Sequence, residues 1–251
     1  MKSKPANKIQ DLQFFGEFGG VNPSISDSST YTFLSANSMS ETFEGNTEGC
    51  YLYSRNSSPS NLYLEEACAA MEGTEAANVF SSGMGAITST ILQLCKSGDH
   101  IISSRTVYGG TYAFLKNFTP QLGIETDFVD ITSLDDIKKL IKPNTKIIYC
   151  EVSSNPLLEI ADIESISEIT KKYNLKLIVD NTFTPLSVSP AKNGADIVIH
   201  SLTKFINGTS DTIAGVVCSD KEFIHSLRDV NDGAFMLMGA TMDSLRAASV
   251  L

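Results

Sequence analysis

The sequence predicts an α/β fold in which a mostly parallel sheet carries helices on both faces. Two observations favour this fold class. Short apolar runs alternate with helical segments from residue 63 to residue 218, and such alternation is typical of βαβ units. The run Lys146–Val152 is largely apolar without the two-residue alternation of a half-exposed strand, as expected for a sheet covered on both sides.

Each element of this alternation has a local signal. Apolar runs predict strands at Ala76–Phe80, His100–Ser103, Thr126–Val129, Lys146–Val152, Leu177–Val179, Ile197–Ile199 and Ile213–Cys218. Helical spacing and end signals predict helices over 64–71, 86–95, 111–118, 134–140 (after a capping Ser133), 163–173 and near 245–251. A sheet of this kind binds ligands at the carboxyl ends of its strands.

The bulk composition describes one large domain and excludes several classes of partner. The chain has 251 residues, 42% of them hydrophobic, and a formal net charge of −10, so a nucleic-acid partner is not expected. The basic start, Met1–Lys8, is not followed by the apolar segment of a secretory signal, and no apolar run reaches membrane-spanning length. We therefore expect no membrane partner.

The cysteines and histidines argue against disulfide and metal chemistry. The five cysteines are scattered and never spaced as C-x-x-C, and the three histidines are far apart in sequence. A disulfide framework or a zinc site is therefore disfavoured, and no metal site is expected. A cytoplasmic, reducing setting is the simplest expectation.

The first 62 residues lack the periodicity of the rest and are predicted to form an N-terminal arm, with the large domain over 63–251. A flexible tail is the alternative reading. The segment is rich in aromatic residues, which disordered tails usually lack, namely Phe14, Phe15, Phe18, Tyr31, Phe33, Phe43, Tyr51 and Tyr53. We expect an ordered arm that docks on another surface, such as a second subunit.

A lysine and an aspartate follow two of the predicted strands. Asp180 ends the run that begins at Leu177, and Lys204 follows the run that ends at Ile199. Pyridoxal 5'-phosphate (PLP) requires an amine for its aldehyde and an anion for its pyridinium nitrogen. Each residue alone is weak evidence, because strand-end aspartates often cap turns and most lysines are solvated. The apolar and small neighbours of Lys204 would desolvate its amine and favour imine chemistry.

A glycine-rich turn between a predicted strand and helix predicts a phosphate site. Ser81–Gly85 would present backbone N–H groups at a helix N-terminus. A nicotinamide-dependent dehydrogenase is an alternative, because Gly83–Thr88 nearly matches G-x-G-x-x-G. Thr88 replaces the third glycine, however, and the next strand ends at Ser103–Arg105 without the acidic ribose partner. A plain tight turn is the remaining alternative.

Six motifs stand in the order found in the Cys/Met-metabolism PLP-dependent enzymes, and the sequence resembles that family over residues 45–220. The family contains methionine γ-lyase, cystathionine β- and γ-lyases, cystathionine γ-synthase and O-acyl-homoserine sulfhydrylases. The resemblance implies the type I PLP fold, which is that of aspartate aminotransferase, and PLP as cofactor. The motifs are Tyr53–Arg55, Ser81–Ile87, Tyr108–Tyr112, Ser154–Pro156, Val179–Thr182 and His200–Phe205.

The resemblance also implies a role for each matching residue. Lys204 would bond to the cofactor and later move protons, and Asp180 would hold the pyridine nitrogen protonated. Tyr108 would stack on the ring and act as an acid or base at the leaving group. Asn155 would lie near the cofactor hydroxyl. The phosphate would be held by Gly83, Met84, Ser201 and Thr203, and by Tyr53 and Arg55 of a neighbouring subunit.

Two departures from the family pattern bear on substrate and domain content. Gly110 stands where well-known methionine γ-lyases carry a cysteine, which puts methionine specificity in doubt. The family also has a C-terminal domain whose arginine binds the substrate carboxylate, and no counterpart is expected in this chain. The sequence is therefore expected to be the cofactor-binding portion of a longer enzyme.

The function implied is a carbon–sulfur lyase that acts on a small sulfur amino acid, such as methionine or cystathionine, by β- or γ-elimination. One alternative is γ-replacement on an activated homoserine, as in the sulfhydrylases and cystathionine γ-synthase. Another is a non-catalytic PLP-binding fragment. The resemblance further implies a homodimer that shares its active sites, often paired into tetramers.

Overall fold

The computed structural model describes residues 4–12, 16–33, 35–44 and 49–251. A sheet of seven strands forms the centre of the described part of the chain. Its strands are β1 (Ala76–Phe80), β2 (His100–Ser104), β3 (Glu125–Val129), β4 (Thr145–Glu151), β5 (Lys176–Asp180), β6 (Ile197–His200) and β7 (Gly215–Ser219). Across the sheet they follow the order β1-β7-β6-β5-β4-β2-β3. All seven coincide with predicted strands to within two residues.

The sheet is parallel except for one strand. Strand β7 runs antiparallel to both β1 and β6, whereas β3, β2, β4, β5 and β6 pair in parallel. The mostly parallel α/β fold is therefore confirmed. The carboxyl ends of six strands consequently share one edge, and the amino end of β7 lies beside them.

Helices cover both faces of the sheet. The helices of the described residues are α1 (Pro5–Asp11), α2 (Ala36–Phe43), α3 (Pro59–Glu72), α4 (Gly83–Leu94), α5 (Gly109–Ala113), α6 (Leu134–Leu140), α7 (Ile163–Tyr173), α8 (Lys221–Leu227), α9 (Ala234–Met238) and α10 (Ser244–Val250). Helices α4, α8 and α9 pack on one face, and α3, α6, α7 and α10 pack on the other. The alternation of apolar runs thus builds a core on each side.

Local differences from the prediction have identifiable causes. Helix α4 begins three residues before its predicted start, because the Ser82 hydroxyl accepts the Gly85 N–H at 2.9 Å and caps it. Ser133 lies at the N-cap of α6, but its hydroxyl donates to the Asp136 side chain and caps no backbone N–H.

The described parts of the N-terminal arm pack against their own chain. The Ser26 N–H donates to the Ser60 hydroxyl at 2.9 Å, and Tyr31 contacts Tyr51 with ring centres 5.2 Å apart. Helix α3 begins at Pro59, four residues before the predicted start of the large domain. Phe14 and Phe15 lie outside the described residues, so docking on a second subunit stays a prediction.

No helix among the described residues combines the length and the apolar character that a membrane crossing requires.

Candidate functional site

A cleft of about 520 Å³ opens at the carboxyl edge of the sheet. Strand ends from across the sheet contribute to it, as expected for an open α/β sheet. Eight of the ten predicted site residues line the cleft, namely Gly83, Met84, Tyr108, Asn155, Asp180, Ser201, Thr203 and Lys204. The amine, the carboxylate and the glycine turn are therefore neighbours in space, although they are far apart in sequence.

Lys204 stands in the turn that follows β6. Its backbone N–H donates to the Ser201 carbonyl at 3.2 Å, and its own carbonyl accepts the Gly208 N–H at 2.9 Å. The expectation that apolar neighbours desolvate Lys204 is wrong for this chain, because Lys204 and Phe205 are both exposed at the cleft. The turn is held by its backbone, so the amine is left open to a ligand.

Asp180 ends β5 at the floor of the cleft and is only 8% exposed. The Thr182 N–H donates to Oδ1 at 2.9 Å, and the Tyr149 hydroxyl donates to Oδ2 at 3.4 Å. Burial raises the pKa of Asp180, and the hydrogen bonds from Thr182 work in the opposite direction. A carboxylate oriented in this way would gain from a cationic ligand group.

The glycine turn makes close contact with the segment that leads to Lys204. A Cβ added to Gly83 would lie 2.8 Å from the Cβ of Ser201, so only glycine permits this approach. The first N–H groups of α4, at Gly83 and Met84, have no partner within the helix and lie at its positive end. This corner therefore has the character of an anion site.

Ser201 and Thr203 make different hydrogen bonds within the chain. The Ser201 N–H donates to the Thr182 hydroxyl oxygen at 2.7 Å. The Thr203 hydroxyl donates to the Ala214 carbonyl at 3.1 Å and accepts the Ala214 N–H at 2.9 Å. Thr203 therefore ties its turn to the segment before β7, and its hydroxyl proton is already used within the chain.

Tyr108 precedes α5 and exposes 51% of its surface. A Cβ added to Gly110 would lie 2.6 Å from Cε1 of Tyr108 and 3.1 Å from Sδ of Met84. Any side chain at position 110 would thus require the tyrosine ring to shift. Gly110 therefore permits the ring position seen here.

Glu151 is a cleft residue that the sequence interpretation missed. It ends β4 in register with Asp180 and is 8% exposed. Burial and the charge of Asp180 raise its pKa to about 7, and N–H donors from Tyr108 and Asn155 act against this rise. The sequence does contain a signal for this residue, because Glu151 is the one acidic residue in the apolar run Lys146–Val152.

Tyr53 and Arg55 lie away from the cleft of their own chain. Arg55 donates to the Met236 carbonyl in α9, and its guanidinium carbon stands 5.7 Å from the centre of the Tyr53 ring. Neither residue lines the cleft. Their predicted role toward a neighbouring subunit's phosphate stays a prediction.

The donor set of the cleft fits PLP. The buried Asp180 has no ion pair within the described residues, and it can therefore accept a protonated ring nitrogen. Gly83 lets Ser201 lie against the N-terminus of α4, where a phosphate would be held. Lys204 adds an exposed amine to the same cleft. The cleft thus contains an amine, a carboxyl group and a candidate phosphate site.

Comparison with known proteins supports this assignment. The sequence matches the family model for Cys/Met-metabolism PLP-dependent enzymes over residues 8–251. It is 43% identical over 246 residues to the methionine gamma-lyase of Arabidopsis thaliana, a match that covers 96% of this chain and 56% of that protein. It is 44% identical over 191 residues to the cystathionine gamma-lyase of Bacillus subtilis, covering 75% of this chain and 50% of that protein.

A solved structure is similar over nearly the whole chain. It is a provisionally assigned O-acetylhomoserine (thiol)-lyase from Campylobacter jejuni that contains a pyridoxyl-lysine monophosphate. The TM-score is 0.89 at 26% identity, and the match covers 99% of this chain and 70% of that one.

These matches define a class of PLP-dependent trans-sulfuration enzymes. The chain belongs to the Cys/Met-metabolism PLP-dependent enzyme family, whose cofactor is pyridoxal 5'-phosphate. It spans between half and three fifths of the length of the two curated relatives described above.

Proposed function

We propose that this chain is the PLP-binding portion of a carbon–sulfur lyase that removes a thiol from a sulfur amino acid by β- or γ-elimination. The observation that supports it most directly is the single cleft that contains Lys204, Asp180 and Tyr108. The similarity to methionine and cystathionine gamma-lyases supports the lyase activity and the substrate class.

When bound, PLP withdraws electrons from the substrate α-carbon and makes its proton removable. Asp180 is the carboxyl group at the cleft floor that would pair with a protonated ring nitrogen, and the Tyr149 and Thr182 hydrogen bonds fix its orientation. Lys204 is the amine that binds the cofactor, and its Nζ can then accept a proton and return it. Its exposure in the cleft leaves Nζ accessible to the substrate.

Tyr108 and the helix α4 corner complete the proposed site. The N–H groups of Gly83 and Met84 and the Ser201 hydroxyl bind the phosphate. The Tyr108 ring would stack on the cofactor, and its hydroxyl would hold or donate the proton that a departing thiol needs. Asn155 would lie near the cofactor hydroxyl. The γ-replacement alternative uses the same residues, but a carboxylate leaves from the activated homoserine and a thiol enters in its place.

The test of the cofactor site is a visible absorption spectrum of the chain with PLP, followed by borohydride trapping. We expect a visible band and a peptide containing Lys204 that carries the cofactor after reduction. Lys204→Ala should abolish trapping, whereas Lys172→Ala, which removes an exposed lysine on α7, should not. Trapping that persists in Lys204→Ala would overturn the assignment.

Product analysis separates elimination from replacement. The full-length protein would be incubated with methionine, cystathionine and O-acetylhomoserine, each with and without an added thiol. Elimination from methionine or cystathionine releases ammonia, a 2-oxo acid and a thiol or cysteine without a second substrate. Turnover that requires the added thiol would support γ-replacement instead. Cofactor trapping without turnover of any substrate would support a PLP-binding fragment.

The assembly, domain division and location of the whole protein belong to the same proposal. The arm over 1–62 contributes Tyr53 and Arg55 to the site of a neighbouring subunit, and the domain over 63–251 binds the cofactor. The protein forms a homodimer, paired into a homotetramer, and works in the cytoplasm. The scattered cysteines support the cytoplasmic setting.

A further inference from the structure

The carboxylate of Glu151 joins two loops at the cleft. Its Oε1 accepts the Tyr108 N–H at 2.6 Å, and its Oε2 accepts the Asn155 N–H at 3.3 Å. Tyr108 lies in the loop that follows β2, whereas Asn155 lies in the loop that follows β4. One buried side chain therefore holds the backbones of two residues that the proposed function places against the cofactor.

A charged residue at this position is costly for the fold. Glu151 is 8% exposed, and no cation among the described residues forms an ion pair with it. A carboxylate buried without a cation destabilises a protein unless hydrogen bonds compensate. The two backbone N–H groups supply that compensation, and they direct the carboxylate to the cleft loops rather than to the core.

Apart from the hydrogen bond to Glu151, few contacts restrain Tyr108 in its loop. Tyr108 is 51% exposed, so packing within the chain restrains its ring only in part. The Tyr108 carbonyl accepts the Tyr112 N–H at 2.9 Å, which ties the residue to α5 but not to the sheet. The hydrogen bond from the Tyr108 N–H to Glu151 is the link to β4.

We infer that Glu151 is a positioning residue, which sets the spacing of the Tyr108 and Asn155 loops and so places both side chains for the cofactor. This inference rests on the proposed function. Both carboxylate oxygens are needed, because each accepts a different N–H. A glutamine offers one acceptor oxygen and one NH₂ donor, so Glu151→Gln keeps the size and loses one of the two anchors.

Amide-resolved hydrogen exchange tests the anchor without the cofactor. In the wild-type chain, the Tyr108 and Asn155 amides should exchange at least about tenfold more slowly than unprotected loop amides. In Glu151→Gln, at least one should exchange about tenfold faster than in the wild type. Glu151→Asp keeps two acceptor oxygens and should restore part of the protection.

Glu159→Gln is the matched control. The Glu159 side chain binds the Thr106 hydroxyl and Arg105 in the same loop region, but it does not contact Tyr108. It should leave the Tyr108 amide protected. Unprotected Tyr108 and Asn155 amides in the wild type would overturn the inference, whether or not Glu151→Gln folds.

Circular dichroism of the bound cofactor distinguishes a failure of this inference from a failure of the proposed function. With PLP bound to Lys204 and before any borohydride reduction, the visible circular dichroism of the cofactor reports the ring surroundings. We expect Glu151→Gln to lower its amplitude at least twofold and Glu159→Gln to leave it unchanged. Equal amplitudes and equal exchange in Glu151→Gln and wild type would overturn the positioning role. Failure of the wild type to trap PLP would overturn the proposed function, and hydrogen exchange would still decide the Glu151 anchor.

Discussion

Gly83 shows how one missing side chain shapes the candidate site. It lets the N-terminus of α4 approach the Ser201 segment more closely than any Cβ would permit. Gly83→Ala would place a methyl group 2.8 Å from the Ser201 Cβ. We expect a loss of about 1–3 kcal/mol in the free energy of unfolding, and at least tenfold weaker PLP binding because the phosphate corner is displaced.

Gly109→Ala is the control for this change. Gly109 also begins a helix, but a Cβ there would meet no atom within 4 Å. Urea unfolding and a PLP titration followed by absorbance would compare both variants with the wild type. Similar behaviour of the two variants would contradict the role assigned to the Gly83 contact.

Glu151 links stability to pH. Its pKa rises from an ordinary 4.5 to about 7 in the folded chain because of burial and the Asp180 charge. Between these values the folded state binds a proton that the unfolded state lacks. The free energy of unfolding therefore falls as the pH rises through this window.

Glu151→Gln removes this dependence. The variant should be less stable than the wild type near pH 5, and the difference should shrink by roughly 1–3 kcal/mol near pH 8. Urea unfolding of both proteins at the two pH values measures the change. A difference that stays constant, or grows as the pH rises, would show that Glu151 does not titrate in this way.

At the scale of elements, helix α4 depends on its cap for the N-terminus that forms the phosphate corner. The Ser82 hydroxyl accepts the Gly85 N–H at 2.9 Å. Ser82→Ala should therefore lower the free energy of unfolding by about 0.5–2 kcal/mol. It should also weaken PLP binding, because the first turn of the helix would fray.

Ser89→Ala tests the specificity of that effect within the same helix. The Ser89 hydroxyl is buried and has no hydrogen-bond partner among the described residues. Its removal should leave stability unchanged or raise it, because an unsatisfied buried hydroxyl is lost. Thermal unfolding of both variants checks this. Equal destabilisation would indicate that the serines act through packing rather than capping.

At the scale of the whole molecule, the proposed sharing of sites between subunits predicts how mixed subunits behave. If Arg55 serves the neighbouring subunit, a dimer of one Lys204→Ala and one Arg55→Ala subunit holds one intact site. An equal mixture of full-length variants, refolded together, should recover roughly one quarter of wild-type turnover. Each variant refolded alone is the control. Recovery no greater than the average of the two would contradict a site shared through Arg55.

Much of the fold could be predicted because its signals are local. The apolar runs of β4 and β5 and the isoleucine spacing of α7 each lie within a short stretch of chain. The strand order and the reversed direction of β7 could not be predicted in this way. They depend on which strands pair across long sequence separations, for example Phe80 with Gly215.

The candidate site, too, could be predicted from the sequence only in part. Residue types and motif order indicated Lys204, Asp180 and Tyr108, because PLP chemistry demands an amine, an anion and a stacking ring. Glu151 was missed, because its function depends on two loops that meet only in the folded chain. The exposure of Lys204 likewise depends on the shape of the cleft, which cannot be predicted from the residues next to it in sequence.

By itself, the sequence determined the α/β class and the family and predicted which residues would bind PLP, since periodicity and motifs can be read from consecutive residues. Only the tertiary structure decided that eight of these residues share one cleft, that Asp180 is buried there while Lys204 is open, and that Glu151 joins the Tyr108 and Asn155 loops. The physical reason is that burial and hydrogen bonding arise between segments far apart in the chain, where local patterns carry no information about distance.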